Sequence, residues 1–317
     1  MTACSTLGLF GSSAEERAKF ASLFAKKSES QALEIYHRKG VVQNLLNPLS
    51  YPEKVAHFAK ALTLCDFAFV FLPDTGRVTW QEAESVLGLY CANVKKGFFV
   101  YKKGLYQRER LDALFAQTAK GYEHIEYSSF DELKRLNLDE LCKTYETEQK
   151  ETVISVDNSF NVKGVGLVAL GFVIRGSVNV HDELSLSNGK TVEVKSMQVM
   201  DEDVEQAKAG TRVGLALKGT TEKELEQLAF LVKNDVFSQD LKTKLNVLPQ
   251  YKKRTSELNK VHVALAGQLI SCELKNENHE IALKTAVAIP KSLTQAVVFD
   301  LDQKPGLLRI VGQANFV

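Results

Sequence analysis

Residues 153–171 read VISVDNSFNVKGVGLVALG. Two apolar runs flank Gly164 and Gly166, which precede a strand-like run and therefore mark a bend rather than a dinucleotide fingerprint. Further β-rich runs follow, separated by turn signals such as Ser187-Asn188-Gly189: these runs are Thr152–Val156, Gly166–Ile174, Glu183–Ser187, Thr191–Val199 and Arg212–Leu217. Short strands at this spacing predict a small closed β-barrel over residues 151–220.

The preceding part, residues 1–150, alternates strand-like and helix-like segments. The apolar runs Leu7–Phe10, Ala32–Tyr36, Val41–Leu46, Phe67–Leu72, Gly97–Tyr101 and His124–Tyr127 predict strands. Helices are predicted over residues 14–27, from Pro52, and over 79–93, 107–119 and 130–143. Strands separated by helices of 10–15 residues indicate a mostly parallel sheet, and Tyr145–Glu151 is the predicted linker to the barrel.

The last part, residues 221–317, is again β-rich. Its runs are Glu226–Val232, Val261–Leu265, Leu269–Leu274, Glu280–Pro290, Ala296–Leu301 and Leu307–Val311. We therefore predict a second barrel. The chain as a whole is expected to have three domains, at residues 1–150, 151–220 and 221–317: one parallel-sheet α/β domain and two β-barrels.

Composition excludes several classes of protein. Hydrophobic residues make up 44% and charged residues 25%, as in globular domains, and the formal charge of +1 argues against binding nucleic acid by bulk charge. The five cysteines form no C-x-x-C pair, so neither a zinc site nor a disulfide framework is indicated. There is no apolar run of 18 residues and no basic start followed by an apolar core. We expect a cytoplasmic protein without a membrane partner.

The first strand-to-helix turn, Gly8–Ala18, lies where a phosphate-binding P-loop, G-x-x-x-x-G-K-[ST], would lie. Counted from Gly11, the second glycine is replaced by Glu16, the lysine by Arg17 and the hydroxyl residue by Ala18. A glutamate would bring negative charge toward a triphosphate, and alanine offers no ligand to Mg²⁺. An ordinary strand–helix turn is therefore the favoured interpretation.

Residues 153–171, together with Lys195-Ser196-Met197-Gln198-Val199 and Ala209–Gly214, closely resemble the second domain of elongation factor Tu and its SelB-like relatives. That family has a P-loop G domain followed by two β-barrels, which agrees with the three-part division. The resemblance implies a translation factor of the translational GTPase family whose G domain can be compared motif by motif.

The other nucleotide motifs of the family are altered. Leu46-Asn47-Pro48-Leu49-Ser50 takes the place of D-x-P-G-H, and Tyr101-Lys102-Lys103-Gly104 takes the place of N-K-x-D, so that only Lys102 is kept. The segment before Val41 is also too short for the usual switch I. The remnants of the nucleotide site are Gly11, Glu16, Arg17, Ala18 and Lys102. We therefore expect no cofactor, neither GTP nor Mg²⁺, and a degenerate GTPase rather than an enzyme.

In the family, the aminoacylated end of tRNA lies between the G domain and the first barrel. Asp157, Asn158 and Phe160 fall in the run that lines that pocket, and Arg212 matches the arginine of A-G-x-R-V-G. The resemblance implies that Asp157 pairs with the α-amino group, Phe160 stacks or lines the pocket, and Arg212 holds a carbonyl or phosphate. Asn158 replaces an arginine of the SelB-like pattern, which argues against selenocysteine as cargo. The alternative interpretation is that Asp157 and Asn158 cap a turn and Phe160 belongs to the core.

A basic cluster in the last part could contact tRNA phosphates, as the third domain does in the family. It consists of Lys242, Lys244, Lys252, Lys253 and Arg254. A solvated loop is the alternative interpretation.

These observations predict a SelB-like elongation factor that binds a special aminoacyl-tRNA, with the ribosome as a further partner and no DNA. Pyrrolysine is one candidate cargo. Two alternatives stay open: a GTPase with non-canonical contacts in which Arg17 replaces the P-loop lysine, and a non-catalytic scaffold that binds the translation machinery.

Overall fold

The computed structural model describes residues 4–11, 13–28, 33–143, 149–277, 280–304 and 306–317. In the first domain the strands are β1 (Ser5–Gly11), β2 (Lys26–Lys27), β3 (Leu33–His37), β4 (Val42–Pro48), β5 (Phe67–Phe71), β6 (Lys96–Lys102) and β7 (Glu123–Tyr127). The helices are α1 (Ala14–Phe24), α2 (Val55–Leu64), α3 (Trp80–Cys91), α4 (Arg108–Leu114) and α5 (Leu138–Leu141), with a 3₁₀ helix at Phe130–Arg135.

These strands form one sheet in the order β2-β3-β4-β1-β5-β6-β7. The pairs from β4 to β7 are parallel, whereas β2 and β3 are antiparallel. All five residues of β5 are buried, as expected for a parallel strand covered by helices on both faces. Gly11 has φ +109°, and a Cβ there would lie 2.1 Å from the Phe71 carbonyl oxygen, so the approach of β5 alone requires this glycine.

The second part contains β8 (Thr152–Val162), β9 (Gly166–Arg175), β10 (Ser177–Asn179), β11 (Glu183–Ser185), β12 (Thr191–Val199), β13 (Glu202–Asp203), β14 (Gln206–Lys208), β15 (Arg212–Lys218), α6 (Glu222–Gln227) and β16 (Phe230–Lys233). Its main sheet runs β11-β16-β8-β9-β15-β12-β13, and β12 also pairs with β11. That additional pairing closes the sheet into the first barrel.

The second barrel is closed in the order β17-β20-β19-β18-β21-β22. Its strands are β17 (Phe237–Val247), β18 (Lys260–Leu265), β19 (Gln268–Glu277), β20 (Glu280–Pro290), β21 (Gln295–Phe299) and β22 (Ile310–Phe316), with a 3₁₀ helix at Thr255–Glu257. None of the helices in the described part of the chain is long and apolar enough to span a membrane.

The predicted division at residue 220 is wrong for one strand. The run 226–232 was expected to open the second barrel, but Phe230–Lys233 pairs with Thr152–Ser155 of the first barrel. The physical reason is that the strand is apolar on both faces. Leu231 packs in the core of the first barrel, while Phe230 and Val232 pack in the large core between domains.

Several predicted elements have other bounds. Helix α1 ends at Phe24 rather than at residue 27, α4 ends at Leu114 rather than at 119, and the helix predicted over 130–143 is a 3₁₀ helix followed by the single turn α5. Strand β17 was not predicted, because among its residues only Leu241 and Thr243 are buried. Ala32 and residues 144–148, which include most of the predicted linker, lie outside the described residues.

A buried ion pair joins the first domain to the second barrel. Arg309 Nη2 donates to Glu84 Oε2 of α3 at 2.5 Å, and both side chains are 3% exposed. The Arg309 backbone N–H donates to Glu84 Oε1 at 2.9 Å, and the Tyr51 hydroxyl donates to Glu84 Oε2 at 2.8 Å. The guanidinium also donates to the Pro52 carbonyl oxygen at 2.6 Å. The charges at this interface are thus fully compensated by hydrogen bonds.

Replacing one partner of this ion pair should destabilise the protein more than replacing both partners with apolar side chains. We expect Arg309→Met and Glu84→Met each to lower the free energy of unfolding by roughly 3–5 kcal/mol, because each leaves one buried charge alone. The double variant should be less destabilised than the two effects added together. Urea unfolding measures all three, with Lys39→Met as control. That change breaks the exposed interdomain pair Lys39–Glu202 and should cost under about 1 kcal/mol. Strictly additive losses would contradict the expectation.

Candidate functional site

The place of the P-loop lysine is filled by a buried arginine. Arg17 is 1% exposed, and its guanidinium donates to the Gly11 carbonyl oxygen, to Asn47 Oδ1 at 2.8 Å and to the Pro48 carbonyl oxygen at 3.0 Å. Burial lowers the pKa of Arg17 to about 10, so the side chain is still charged at neutral pH. Arg17 therefore ties the end of β1 to the end of β4 and does not extend toward solvent.

Leu46 and Lys102, two other positions compared with the family's nucleotide motifs, have contacts within the protein. Leu46, at the position of the family's magnesium aspartate, is 0% exposed in the core. Lys102 forms an exposed ion pair with Asp74. A cavity of about 370 Å³ remains in this region, lined by Glu15, Glu16, Lys19, Lys102, Tyr127, Ser128 and Phe130. Its two glutamates would repel a triphosphate.

A larger cavity, of about 800 Å³, lies between the first domain and the first barrel, and we call it the cleft. The first domain contributes Ser28, His37, Gln43 and Asn44. The barrel contributes Phe160, Val162, Val165, Val168, Leu170, Val180, Lys195, Ser196, Met197, Gln198, Met200, Asp201, Asp203, Val204, Glu205, Arg212, Val213, Gly214 and Ala216. Its volume lies in the range usual for small-molecule sites.

The barrel wall of the cleft is an apolar trough on the outside of four paired strands. One row across β8, β9, β15 and β12 is Phe160, Val168, Ala216 and Ser196. Phe160 is 37% exposed, so it is not a core residue and its ring faces the cleft.

The next row contains Leu170, Gly214 and Gln198. A Cβ on Gly214 would meet the Leu170 side chain at 3.4 Å, which is ordinary contact. Because both rows contain small residues, the middle of the trough is a depression in the surface of the barrel.

Arg212 stands at the end of the cleft next to His37. Asn44 Nδ2 donates to the Gly210 carbonyl oxygen at 3.2 Å, so its Oδ1 accepts from His37 Nδ1 at 2.9 Å. His37 Nε2 then has a lone pair, which faces Arg212 Nη1 at 3.5 Å. Burial lowers the pKa of His37, and the Arg212 guanidinium lowers it further. At neutral pH the imidazole is therefore uncharged, with its proton on Nδ1.

Asp157 is the partner of Arg212 and joins the barrel to the first domain. Its carboxylate accepts from Arg212 Nη2 at 2.9 Å and from the Lys60 ammonium of α2, and its side chain is 14% exposed. Burial alone would raise the pKa of Asp157, but Lys60 and Arg212 outweigh burial and lower it. This carboxylate is ionised at neutral pH, and its two hydrogen-bond partners come from the protein.

The four residues predicted for the aminoacyl pocket therefore line two different cavities. Phe160 and Arg212 line the cleft, whereas Asp157 and the exposed Asn158 line a cavity of about 380 Å³ between the two barrels. Sequence analysis missed His37, Lys60 and Met200, since no motif marks them and only the domain arrangement brings them to this place.

The basic cluster is only partly available to a ligand. Lys253 Nζ donates to Asp300 Oδ2 at 2.7 Å, and that carboxylate is 2% exposed and also accepts from the Tyr251 hydroxyl. Lys242 and Lys244 lie on β17 rather than in a loop, while Lys252 and Arg254 are exposed. Contact of these residues with tRNA stays a prediction.

Comparisons with known proteins agree with this architecture. The family model of elongation factor Tu domain 2 matches residues 166–227, within the first barrel. An uncharacterized protein of Methanocaldococcus jannaschii is 28% identical over 305 residues, which cover 94% of this chain and 93% of that protein. The matched domain places the first barrel in a class of β-barrels found in translation factors.

Selenocysteine-specific elongation factors are also similar. That of M. jannaschii is 38% identical over 112 residues, covering 34% of this chain but only 22% of that protein. The crystal structure of SelB from Methanococcus maripaludis with a GTP analogue has a TM-score of 0.81 at 19% identity, covering 100% of this chain and 79% of that one. The predicted resemblance to SelB-like translational GTPases is thus confirmed, in sequence through the first barrel and in fold over the whole chain.

Arg17→Met should lower the free energy of unfolding by roughly 2–4 kcal/mol, because three buried acceptors lose a charged donor. Thermal and urea unfolding measure the loss. Glu15→Gln on the exposed side of the same helix is the control and should change stability little. An Arg17→Met variant as stable as the wild type would show that the guanidinium does not hold β1 and β4 together.

Proposed function

We propose that this protein is a SelB-like translation factor that binds an aminoacyl-tRNA and holds its aminoacylated 3′ end in the cleft. The observation that carries the proposal is the exposed Phe160 ring on an apolar wall that faces the first domain, in the same cleft as the Arg212 guanidinium. An aromatic face stacks on bases, and an arginine donates to phosphate or carbonyl oxygens. The ribosome is a further proposed partner, and pyrrolysine is a candidate cargo.

The proposal includes a first domain that neither binds GTP·Mg²⁺ in the usual way nor hydrolyses it. This rests on the buried Arg17, on Leu46 in the core, and on glutamates in the remaining cavity. The selenocysteine-specific relatives share only part of their length with this chain, so their cargo is not transferred to it.

Calorimetry with GTP and GDP in the presence of Mg²⁺ should detect no binding at micromolar affinity. Each missing charged hydrogen bond costs about 1.5–3 kcal/mol, and several are missing. A micromolar affinity would favour the alternative, a GTPase with non-canonical contacts. Loss of that affinity in an Arg17→Lys variant whose unfolding curve shows that it is still folded would then identify Arg17 as its contact.

Gel-shift titrations at fixed salt should show tighter binding of aminoacylated than of deacylated tRNA. Phe160→Ala should weaken binding by roughly 1–3 kcal/mol, or about 5- to 150-fold, because a stacking platform is lost. Gly214→Val should weaken it by filling the trough, and Gly214→Ala should do so less.

The matched control is Leu114→Ala, which removes another exposed apolar side chain, 61% exposed, on α4. It should leave binding unchanged. Equal affinities for both tRNA forms, unaffected by Phe160→Ala and Gly214→Val, would reject the proposal in favour of a scaffold that binds other parts of the translation machinery.

A further inference from the structure

The charges that line the cleft are unevenly placed. One end of the barrel wall carries Asp201, Asp203 and Glu205, on and just after the β12–β13 hairpin, and all three are exposed. None of the three forms an ion pair with another residue in the described part of the chain. Asp203 accepts a hydrogen bond from the neutral amide of Gln198 at 2.9 Å. These carboxylates therefore line the cleft without a cationic partner among the described residues.

The cations of the cleft do not balance these carboxylates. Arg212 is paired with the buried Asp157, and His37 is uncharged at neutral pH. Lys195 is the remaining cation on the wall, and its ammonium group lies 3.4 Å from the Val165 carbonyl oxygen. Lys60 forms an ion pair with Asp157 and does not line the cleft.

The hairpin that carries the carboxylates also closes the apolar trough. Met200 and Asp201 form its tip with φ of 52° and 63°, a conformation that is uncommon for residues other than glycine and asparagine. The pair Glu202–Lys39 ties this tip to the first domain. The tip thus places Met200 and Val204 against the cleft, and it places the carboxylates beside the apolar trough.

We infer that the cleft selects aminoacyl groups whose side chains are apolar or cationic and excludes side chains that carry negative charge. The inference rests on the proposed function and specifies its cargo. An apolar side chain is buried in the trough between Phe160 and Met200. An anionic side chain would lose its hydration and meet Asp201, Asp203 and Glu205, while a cationic end would be attracted to them.

The test uses one tRNA body charged with leucine, lysine or glutamate, and the same tRNA deacylated. Leucyl and lysyl forms should bind the wild-type protein roughly fivefold or more tightly than the glutamyl form, and less so at high salt. The triple variant Asp201→Asn, Asp203→Asn, Glu205→Gln should remove most of this difference. The control triple variant Glu53→Gln, Glu109→Gln, Glu123→Gln removes three other exposed carboxylates, from the first domain and outside the cleft, and should leave the difference intact.

Three outcomes overturn the inference, and the third can be distinguished from the first two. If all charged forms bind more tightly than deacylated tRNA but glutamate is not disfavoured, the inference is wrong and the proposed function stands. The same holds if the triple variant leaves the discrimination unchanged. If charged and deacylated tRNA bind equally, the proposed function itself fails, and the inference fails with it.

Discussion

The Asp157 carboxylate is the point on which the arrangement of the first domain and the first barrel depends. It is buried, and it accepts from Lys60 of α2 and from Arg212 of β15. A buried carboxylate of this kind is costly unless its partners stay in place, so the helix and the strand are held at a constant separation. That separation sets the width of the cleft. The same contact orients the Arg212 guanidinium toward His37. One interaction therefore determines both the geometry of the cleft and the position of the charged group at its end.

The second barrel completes the arrangement from the other side. Its Arg309 is bonded to Glu84 of α3, and Gln268 Nε2 donates to the Ser155 hydroxyl and the Val156 carbonyl oxygen of the first barrel at 2.9 and 2.7 Å. Apolar residues of all three domains share one core, among them Phe58, Phe230 and Phe299. The domains are therefore packed against one another by buried apolar area as well as by directed polar contacts. A cleft between domains joined in this way is largely preformed.

Arg17 and Leu46 join neighbouring strands within the first domain. Leu46 adds apolar volume to the core, and the Arg17 guanidinium is bonded inside the protein to Gly11, Asn47 and Pro48. Both residues therefore give contacts that hold β1 and β4 together. The sheet itself depends on apolar packing, whereas a binding site depends on a few polar side chains.

The sequence by itself determined the class of fold and most of its elements. Apolar runs such as Phe67–Leu72 and the strand patterns after residue 151 are local features. The sequence reveals them because the periodicity of buried positions can be read from neighbouring residues. It also led to the prediction that the nucleotide motifs are altered, and it pointed to Phe160 and Arg212, which line one cleft in the structure. Other features depend on contacts between residues far apart in the chain, which no local pattern contains. Strand Phe230–Lys233 could be assigned to the first barrel only from its pairing with β8, and β17 only from its place in a closed barrel. The tertiary structure alone decided that Asp157 is held by Lys60, 97 residues away, that Lys253 is held by Asp300, and that His37 and Met200 line one cleft. The Asp157–Lys60 pair and the cleft lined by His37 and Met200 follow from the docking of domains, and the Lys253–Asp300 pair follows from the folding of the second barrel. All of these are properties of the folded chain as a whole.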